Sequence, residues 1–292
     1  MTNVMGRAEL AGGILGRIHV GDCVSLMERF AGQVYADMII ADPPYNIGYE
    51  YDVYQDKKAD DDYLQWSELW IRLAAEMLAP GGALWIAIGD EYAAELKCIA
   101  HRKVGLHLRN WVIWYYTFGV HCERKFSRSH THLLYFVKDL RHYKFNADAI
   151  RVPSARLSVY RDKRANLNGR VPDNTWILRP QDAPFCFQPS EDTWHIPRVC
   201  GTFRERAGFI KCQLPEALLS RIILACSDEG DVVFDPFAGS GSTLVVAKKL
   251  GRRFFGCELS QRYAELATQR LQATILADSG LWPGLAQTAA GG

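Results

Sequence analysis

Two stretches of this chain carry residue types that can do chemistry together: Asp42-Pro43-Pro44-Tyr45 and Asp235-Pro236-Phe237-Ala238-Gly239-Ser240-Gly241. In the first, neither proline has an N–H to give to a sheet, and a residue before proline is driven to extended backbone, so Asp42 stands on a stiff turn. The turn presents a carboxylate, bare carbonyls and an aromatic ring. The carboxylate and one carbonyl can accept both N–H bonds of a planar amine while the ring stacks on its plane. In the second stretch, glycine lets a ligand approach the backbone closely. Glu258 follows Gly239 by 19 residues, where a carboxylate can accept hydrogen bonds from a ribose diol. Phosphate-binding signatures are missing. Gly241 is followed by Ser242-Thr243 rather than a lysine, and Leu244 stands where a dinucleotide fingerprint needs a small residue. The second stretch therefore fits a nucleoside cofactor that lacks phosphates.

These loops need strands behind them. Asp37–Ala41 and Val232–Phe234 are apolar runs that read as buried strands, each ending at one of the loops. Arg253–Cys257 reads as a strand ending at Glu258, Ala83–Ile88 as one ending at Gly89-Asp90, and Ile14–Val20 as one ending at Gly21-Asp22-Cys23. Leu108–Phe118 and Thr131–Val137 complete the set, with a basic loop, Gly119–His130, between them. Helical spacing follows at Val24–Phe30, from an Asp61 or Asp62 cap to Leu78, over 90–103, from Pro215 to Ser227, over Ser242–Leu250 and over 260–276. Apolar strands alternating with helices predict an α/β fold with a mainly parallel sheet covered by helices, and ligands in such sheets bind beyond the carboxyl ends of the strands. Asp22, Asp42 and Asp90 all fall there. Asp22 suits two roles, helix cap or ligand contact. Asn46–Asp62 is a long polar loop holding Tyr49, Tyr51 and Tyr54, read as a mobile flap over the site or as inert surface.

Residues 14–139 and 211–276 thus form two halves of one domain. Between them, 140–210 is an insert broken by Pro153, Pro172, Pro180, Pro184, Pro189 and Pro197, with Trp176 and Trp194 among arginines; 277–292 is a flexible tail. Net charge is only +1, but Leu140–Cys212 holds 13 Lys/Arg against 7 Asp/Glu. Such asymmetry marks either a surface that meets a polyanion or a solvated basic face. Eight cysteines are scattered without any Cys-x-x-Cys pair, so the expectation is reduced thiols and no metal. No apolar run approaches a membrane span and Met1–Gly13 lacks a signal-peptide pattern, so the expected location is cytoplasmic, with no membrane partner.

Asp42-Pro-Pro-Tyr45 followed far downstream by Asp235-Pro-Phe-Ala-Gly-Ser-Gly241 resembles the beta class of site-specific DNA amino-methyltransferases, in which the catalytic loop precedes the cofactor loop and the target-recognition region lies between. Gly21-Asp22-Cys23, Gln213-Leu-Pro-Glu-Ala-Leu-Leu219 and Leu250-Gly-Arg-Arg-Phe-Phe-Gly-Cys-Glu258 extend the likeness over roughly 20–138 and 211–272. Leu214 departs from the Gln-Lys-Pro of many members. The resemblance implies a Rossmann-like S-adenosylmethionine-dependent methyltransferase fold with a doubly wound mixed sheet and circularly permuted motif order. It implies S-adenosyl-L-methionine as cofactor, bound by Asp22, Cys23, Asp235, Pro236, Phe237, Gly239, Ser240, Gly241 and Glu258. It implies catalysis by Asp42, Pro43, Pro44 and Tyr45 on a base flipped out of double-stranded DNA. Asp at the first loop position leans toward adenine N6, with cytosine N4 the runner-up, and the family admits a homodimer. Methylation of RNA or of a protein amide fits less well, because those relatives show Asn-Pro-Pro-Tyr after the glycine loop. A DNA-binding module without catalysis is opposed by the intact carboxylates at 42, 235 and 258.

Overall fold

The computed structural model describes residues 13–120, 122–124, 126–176, 206–210 and 212–275. The tail beyond residue 275 and Trp194 lie outside them, as does most of the insert after Trp176. Eight strands form one sheet: β1 (Ile18–Val20), β2 (Ala36–Ala41), β3 (Leu78–Ile88), β4 (His107–Val120), β5 (Arg128–Val137), β6 (Thr175–Trp176), β7 (Val232–Asp235) and β8 (Arg253–Glu258), in the order β1-β8-β7-β2-β3-β5-β4-β6. From β1 to β3 every neighbouring pair is parallel; β5 pairs antiparallel with β3 and with β4. The sheet is therefore mixed, as expected. It is also doubly wound. Helices α1 (Cys23–Phe30), α2 (Asp60–Met77) and α3 (Ala93–Cys98) cover one face, packing Met27, Phe30, Trp70, Ile71 and Leu96 onto Ile39, Ile86, Phe136 and Phe234. A four-residue turn, α4 (Ala155–Ser158), lies in the insert, while α5 (Glu216–Cys226), α6 (Ser242–Lys249) and α7 (Gln261–Ala273) cover the other face. Leu218, Leu219, Ile222 and Ile223 of α5 meet Met38, Ile40, Trp85 and Tyr135 there.

Both faces of β2 are buried because consecutive residues Met38, Ile39 and Ile40 are all apolar, the pattern of a strand sandwiched between helix layers. β2 lies beside β7, with Met38 opposite Val233 and Ile39 opposite Phe234. The Asp37 carboxylate accepts the Val232 N–H at 2.9 Å and helps fix that register. From β2 the chain proceeds through α2 to β3 on one side, and from β7 through α6 to β8 on the other. The order reverses between them, so the Asp42 and Asp235 loops leave the sheet side by side.

Some boundaries differ from the sequence expectation. The first strand is only Ile18–Val20, because Gly16 turns the chain at φ 80° before it. Neither Asp61 nor Asp62 caps α2; Ala59 is its N-cap and makes no side-chain bond. Asp60, Asp61 and Asp62 instead occupy the first turn, where their charge favours the helix N-terminus. The helix expected over 90–103 is α3 followed by a π-helical turn, Ile99–Lys103. The basic loop shrinks to the few residues between Val120 and Arg128, because β4 and β5 both run into it. The start of the insert belongs to the sheet's second face: Ile150 is buried there, and Asn146 bonds to the Leu224 and Ser227 carbonyls at 3.2 and 3.0 Å.

Candidate active site

Asp42 emerges at the end of β2, and its Oδ1 accepts the Tyr45 hydroxyl at 3.0 Å. Tyr63 of α2 donates its hydroxyl to the Pro44 carbonyl at 2.7 Å. The loop is thus pinned from below through Pro44. Gly89, at the end of β3, makes room for Tyr45: a Cβ there would lie 3.3 Å from the ring. Asp42 is partly exposed, but to a cavity rather than to open solvent. Desolvation pushes its carboxyl up to about 7, against the lowering effect of the Tyr45 bond.

The tyrosine-rich segment after Tyr45 has an organising residue that the sequence reading did not single out. Asp56 is 3% exposed. Its carboxylate accepts the N–H groups of Asn46, Ile47 and Tyr49 at 2.7, 3.2 and 2.9 Å. Asn46 adopts φ 58° and bonds to both the N–H and the carbonyl of Lys58. Around this knot runs an edge-to-face series, Tyr49 to Tyr51 to Tyr54, with centroids 4.7 and 6.0 Å apart, and Tyr54 then reaches Trp66 of α2 at 6.4 Å. The segment has fixed hydrogen bonds and forms one wall of the cavity. Asp52, within it, accepts the Ser260 hydroxyl at the start of α7.

The second loop completes the site. Asp235, 4% exposed at the end of β7, accepts the Phe237 N–H at 2.9 Å and a bond from the Thr243 side chain. Desolvation raises its carboxyl to about 7. Phe237 stands edge-on to Trp70 and Trp66, at 5.3 and 5.7 Å. Glu258 accepts the Gly239 and Ser260 N–H groups at 2.8 Å each, and burial raises its pKa. Its carboxylate is therefore aimed by two backbone donors and lies on the cavity wall. Asp22 caps α1 by accepting the Ser25 N–H at 2.9 Å, and it also lines the cavity. Cys23 lines the same cavity as a neutral thiol, pushed up to about 12 by burial. Pro236 and Ser240 also reach it, whereas Gly241 stands behind the wall. At φ 75°, with Ala267 of α7 only 3.1 Å from where a Cβ would be, Gly241 shapes the turn into α6. Sequence spacing placed it at the loop but could not show which way the turn faced.

The two loops close on one cavity of about 430 Å³, within the range of small-molecule sites. Asp22, Asp42, Asp52, Asp56, Asp235 and Glu258 give it a strongly acidic lining. Its basic groups are engaged: Lys58 lies 5.4 Å from the Tyr54 and Trp66 rings, and Arg128 pairs with Asp90 at 2.5 Å and with Glu91. Such a site repels phosphate and suits a cationic nucleoside. S-adenosylmethionine, with its sulfonium and ammonium charges, fits that carboxylate lining. Among the described residues, no group of three or more His, Cys, Asp or Glu is arranged to hold a metal, and no helix is long and apolar enough to cross a membrane. His130 and His132 share one face of β5, where His132 accepts the Trp111 indole N–H at 2.8 Å.

A doubly wound sheet with an acidic cleft at its reversal point, beside an Asp-Pro-Pro-Tyr turn, is the architecture of an amino-methyltransferase. The DNA methylase family profile of the N6-adenine/N4-cytosine type matches residues 36–269, and the chain belongs to that family, whose methyl donor is S-adenosylmethionine. It is 35% identical over 237 residues to the Type II methyltransferase M.HpaI of Haemophilus parainfluenzae, covering 81% of this chain and 68% of that protein. It is 32% identical over 255 residues to the DNA adenine methyltransferase YhdJ of Escherichia coli strain K12, covering 86% and 81%. Among solved structures, TTHA0409 of Thermus thermophilus complexed with S-adenosyl-L-methionine superposes with a TM-score of 0.58 at 24% identity, covering 91% of this chain and 99% of that one. The cytosine-N4-specific PvuII DNA methyltransferase superposes with a TM-score of 0.62 at 14% identity, covering 91% and 87%. These superpositions bear on the fold.

Proposed function

We propose that this chain methylates the exocyclic N6 amine of adenine at specific sites in double-stranded DNA. The observation that carries the reading is the alignment of two strand ends. β2 and β7 are neighbours, so the amine acceptor Asp42 and the cofactor-side Asp235 open into one cavity. An exocyclic amine is a poor nucleophile because its lone pair is delocalised into the ring. Asp42 and the Pro43 carbonyl accept its two N–H bonds, favour a pyramidal nitrogen and stabilise the positive charge that develops on it. Tyr45 stacks on the flipped base, and the fixed loops hold the nitrogen in line. S-adenosylmethionine, when bound, supplies an electrophilic methyl group. Glu258 would hold its ribose, and Asp235 and Phe237 its methionine part. Asp42 as the first loop residue and the likeness to YhdJ favour adenine over cytosine. Both bases present the same two donors, so cytosine N4 is the second reading.

The insert is read as the target-recognition region. Several arginines of its described part are already matched by carboxylates: Arg151 by Asp148, Arg156 and Arg164 by Asp162, and Arg170 by Asp173. Phosphate contact by that part therefore draws on less charge than the composition suggests.

The test is methyl transfer from labelled S-adenosylmethionine to unmethylated DNA, followed by nucleoside analysis, with Asp42→Ala as control. N6-methyladenine that disappears in the variant supports the reading. N4-methylcytosine reverses the base assignment. Cofactor binding without label in DNA overturns DNA as the substrate.

A further inference from the structure

β4 and β5 form a hairpin whose strands line the cavity as far as Tyr116 and from Arg128 onward, with its tip between them. At that tip Phe126 is 100% exposed, the most exposed large apolar side chain among the described residues. Its sequence neighbours include Arg124, Lys125 and Arg128. The root of the hairpin belongs to the active site. Trp114 and Tyr116 of β4, and Arg128, His130 and Thr131 of β5, all line the cavity. Tyr45 and Arg128 flank a single point: from the position a Gly89 Cβ would take, the Tyr45 ring is 3.3 Å away and the Arg128 guanidinium 3.8 Å. Phe126 lies two residues from Arg128, at most about 7 Å along the chain. The Asp90 and Glu91 pairs hold Arg128, so the root is fixed while the Phe126 ring is bare.

We infer that Phe126 is a wedge that enters the base stack of duplex DNA beside the target nucleotide and holds the gap open while the base occupies the pocket at Tyr45. The inference rests on the proposed DNA methylation. A flipped base leaves an unstacked gap, and apolar side chains inserted between base steps offset that loss. An aromatic ring does so without regard to sequence, because every base has a π-face. The positive charge of Arg124 at the same tip favours approach to phosphates. Phe126 touches neither the amine nor the methyl donor, so it is a positioning residue.

The experiment compares the wild type with Phe126→Ala and Phe126→Trp on three substrates carrying the methylated site, once product sequencing has identified it: duplex, duplex with the target base mismatched, and single strand. A mismatched or single-stranded base needs little unstacking. Phe126→Ala should lose about 10- to 100-fold in kcat/KM on the matched duplex and stay within about threefold of wild type on the other two. Phe126→Trp should restore the duplex rate, and cofactor affinity by calorimetry should be equal in all three proteins. Equal loss on every substrate would make Phe126 a general DNA contact and overturn the wedge, as would no loss on the matched duplex. A wild type that methylates no DNA would refute the functional reading itself, a different result from either.

Discussion

Asp42→Asn should make this protein more stable while abolishing methyl transfer. The wild-type carboxyl is raised from its usual 3.8 to about 7 because it is desolvated beside the cavity. Between those values the folded chain holds a proton that the unfolded chain has released. Wild-type stability therefore falls as pH rises through the window, and the penalty is complete above pH 7. The shift is equivalent to roughly 4 kcal/mol. The side chain is partly exposed to the cavity, and solvent screening there halves the expected penalty to about 2 kcal/mol. Asparagine keeps an oxygen for the Tyr45 hydroxyl and never has to ionise, so it escapes the penalty. For a domain of this size, about 2 kcal/mol raises Tm by roughly 4–8 °C. Thermal unfolding at pH 5 and pH 8 reads the effect: a small gain at the lower pH and the full gain at the higher. Methyl transfer should drop by about 100-fold or more, because a neutral amide does little to stabilise the developing charge. An Asp42→Asn variant that melts at or below the wild type at pH 8 would refute the reasoning, and so would a gain that does not grow with pH.

Tyr45→Phe removes the hydroxyl that lowers the Asp42 pKa. Asp42 accepts the amine only when ionised, so the rate falls as pH drops through its pKa; the acid limb of kcat/KM, near pH 7 in the wild type, should move to higher pH in the variant. Glu258→Gln keeps the side chain's shape but weakens its bonds to the Gly239 and Ser260 N–H groups and to a ribose diol. Calorimetry should show S-adenosylmethionine affinity falling about tenfold, and unchanged affinity would remove Glu258 from the site. Asp56→Ala orphans the N–H groups of Asn46, Ile47 and Tyr49. Trypsin should then cut faster at Lys57 or Lys58, KM for the cofactor should rise, and Tm should fall, since unsatisfied buried donors cost about 1–3 kcal/mol each.

Much of the architecture is legible in one-dimensional pattern. Apolar runs at 37–41, 83–88 and 232–234 read as strands buried on both faces, and their alternation with helical spacing pointed to a mainly parallel, helix-covered sheet. The boundaries that shifted did so where local chemistry is degenerate. Three consecutive aspartates, any of which can cap a helix, left the start of α2 open, and tertiary packing chose Ala59 as its N-cap. The basic loop reads as longer in sequence than it is in the fold, because hairpin strands can extend through polar residues when a neighbouring strand satisfies their backbone.

The sequence by itself determined the chemical parts: a rigid proline turn with one carboxylate and one ring, a glycine loop without phosphate signatures, and an acidic residue at the next strand end. Those follow from covalent constraints that act within a few residues. Only the tertiary structure decided that Asp42 and Asp235 share one cavity, because that depends on β2 pairing with β7 across nearly two hundred residues of chain. It also decided that Asp56 ties the tyrosine segment into a wall, that Gly241 stands behind the cavity wall, and that Phe126 stands bare near the cavity. Each is a matter of which way a side chain or turn faces, and direction is set by contacts between elements distant in sequence.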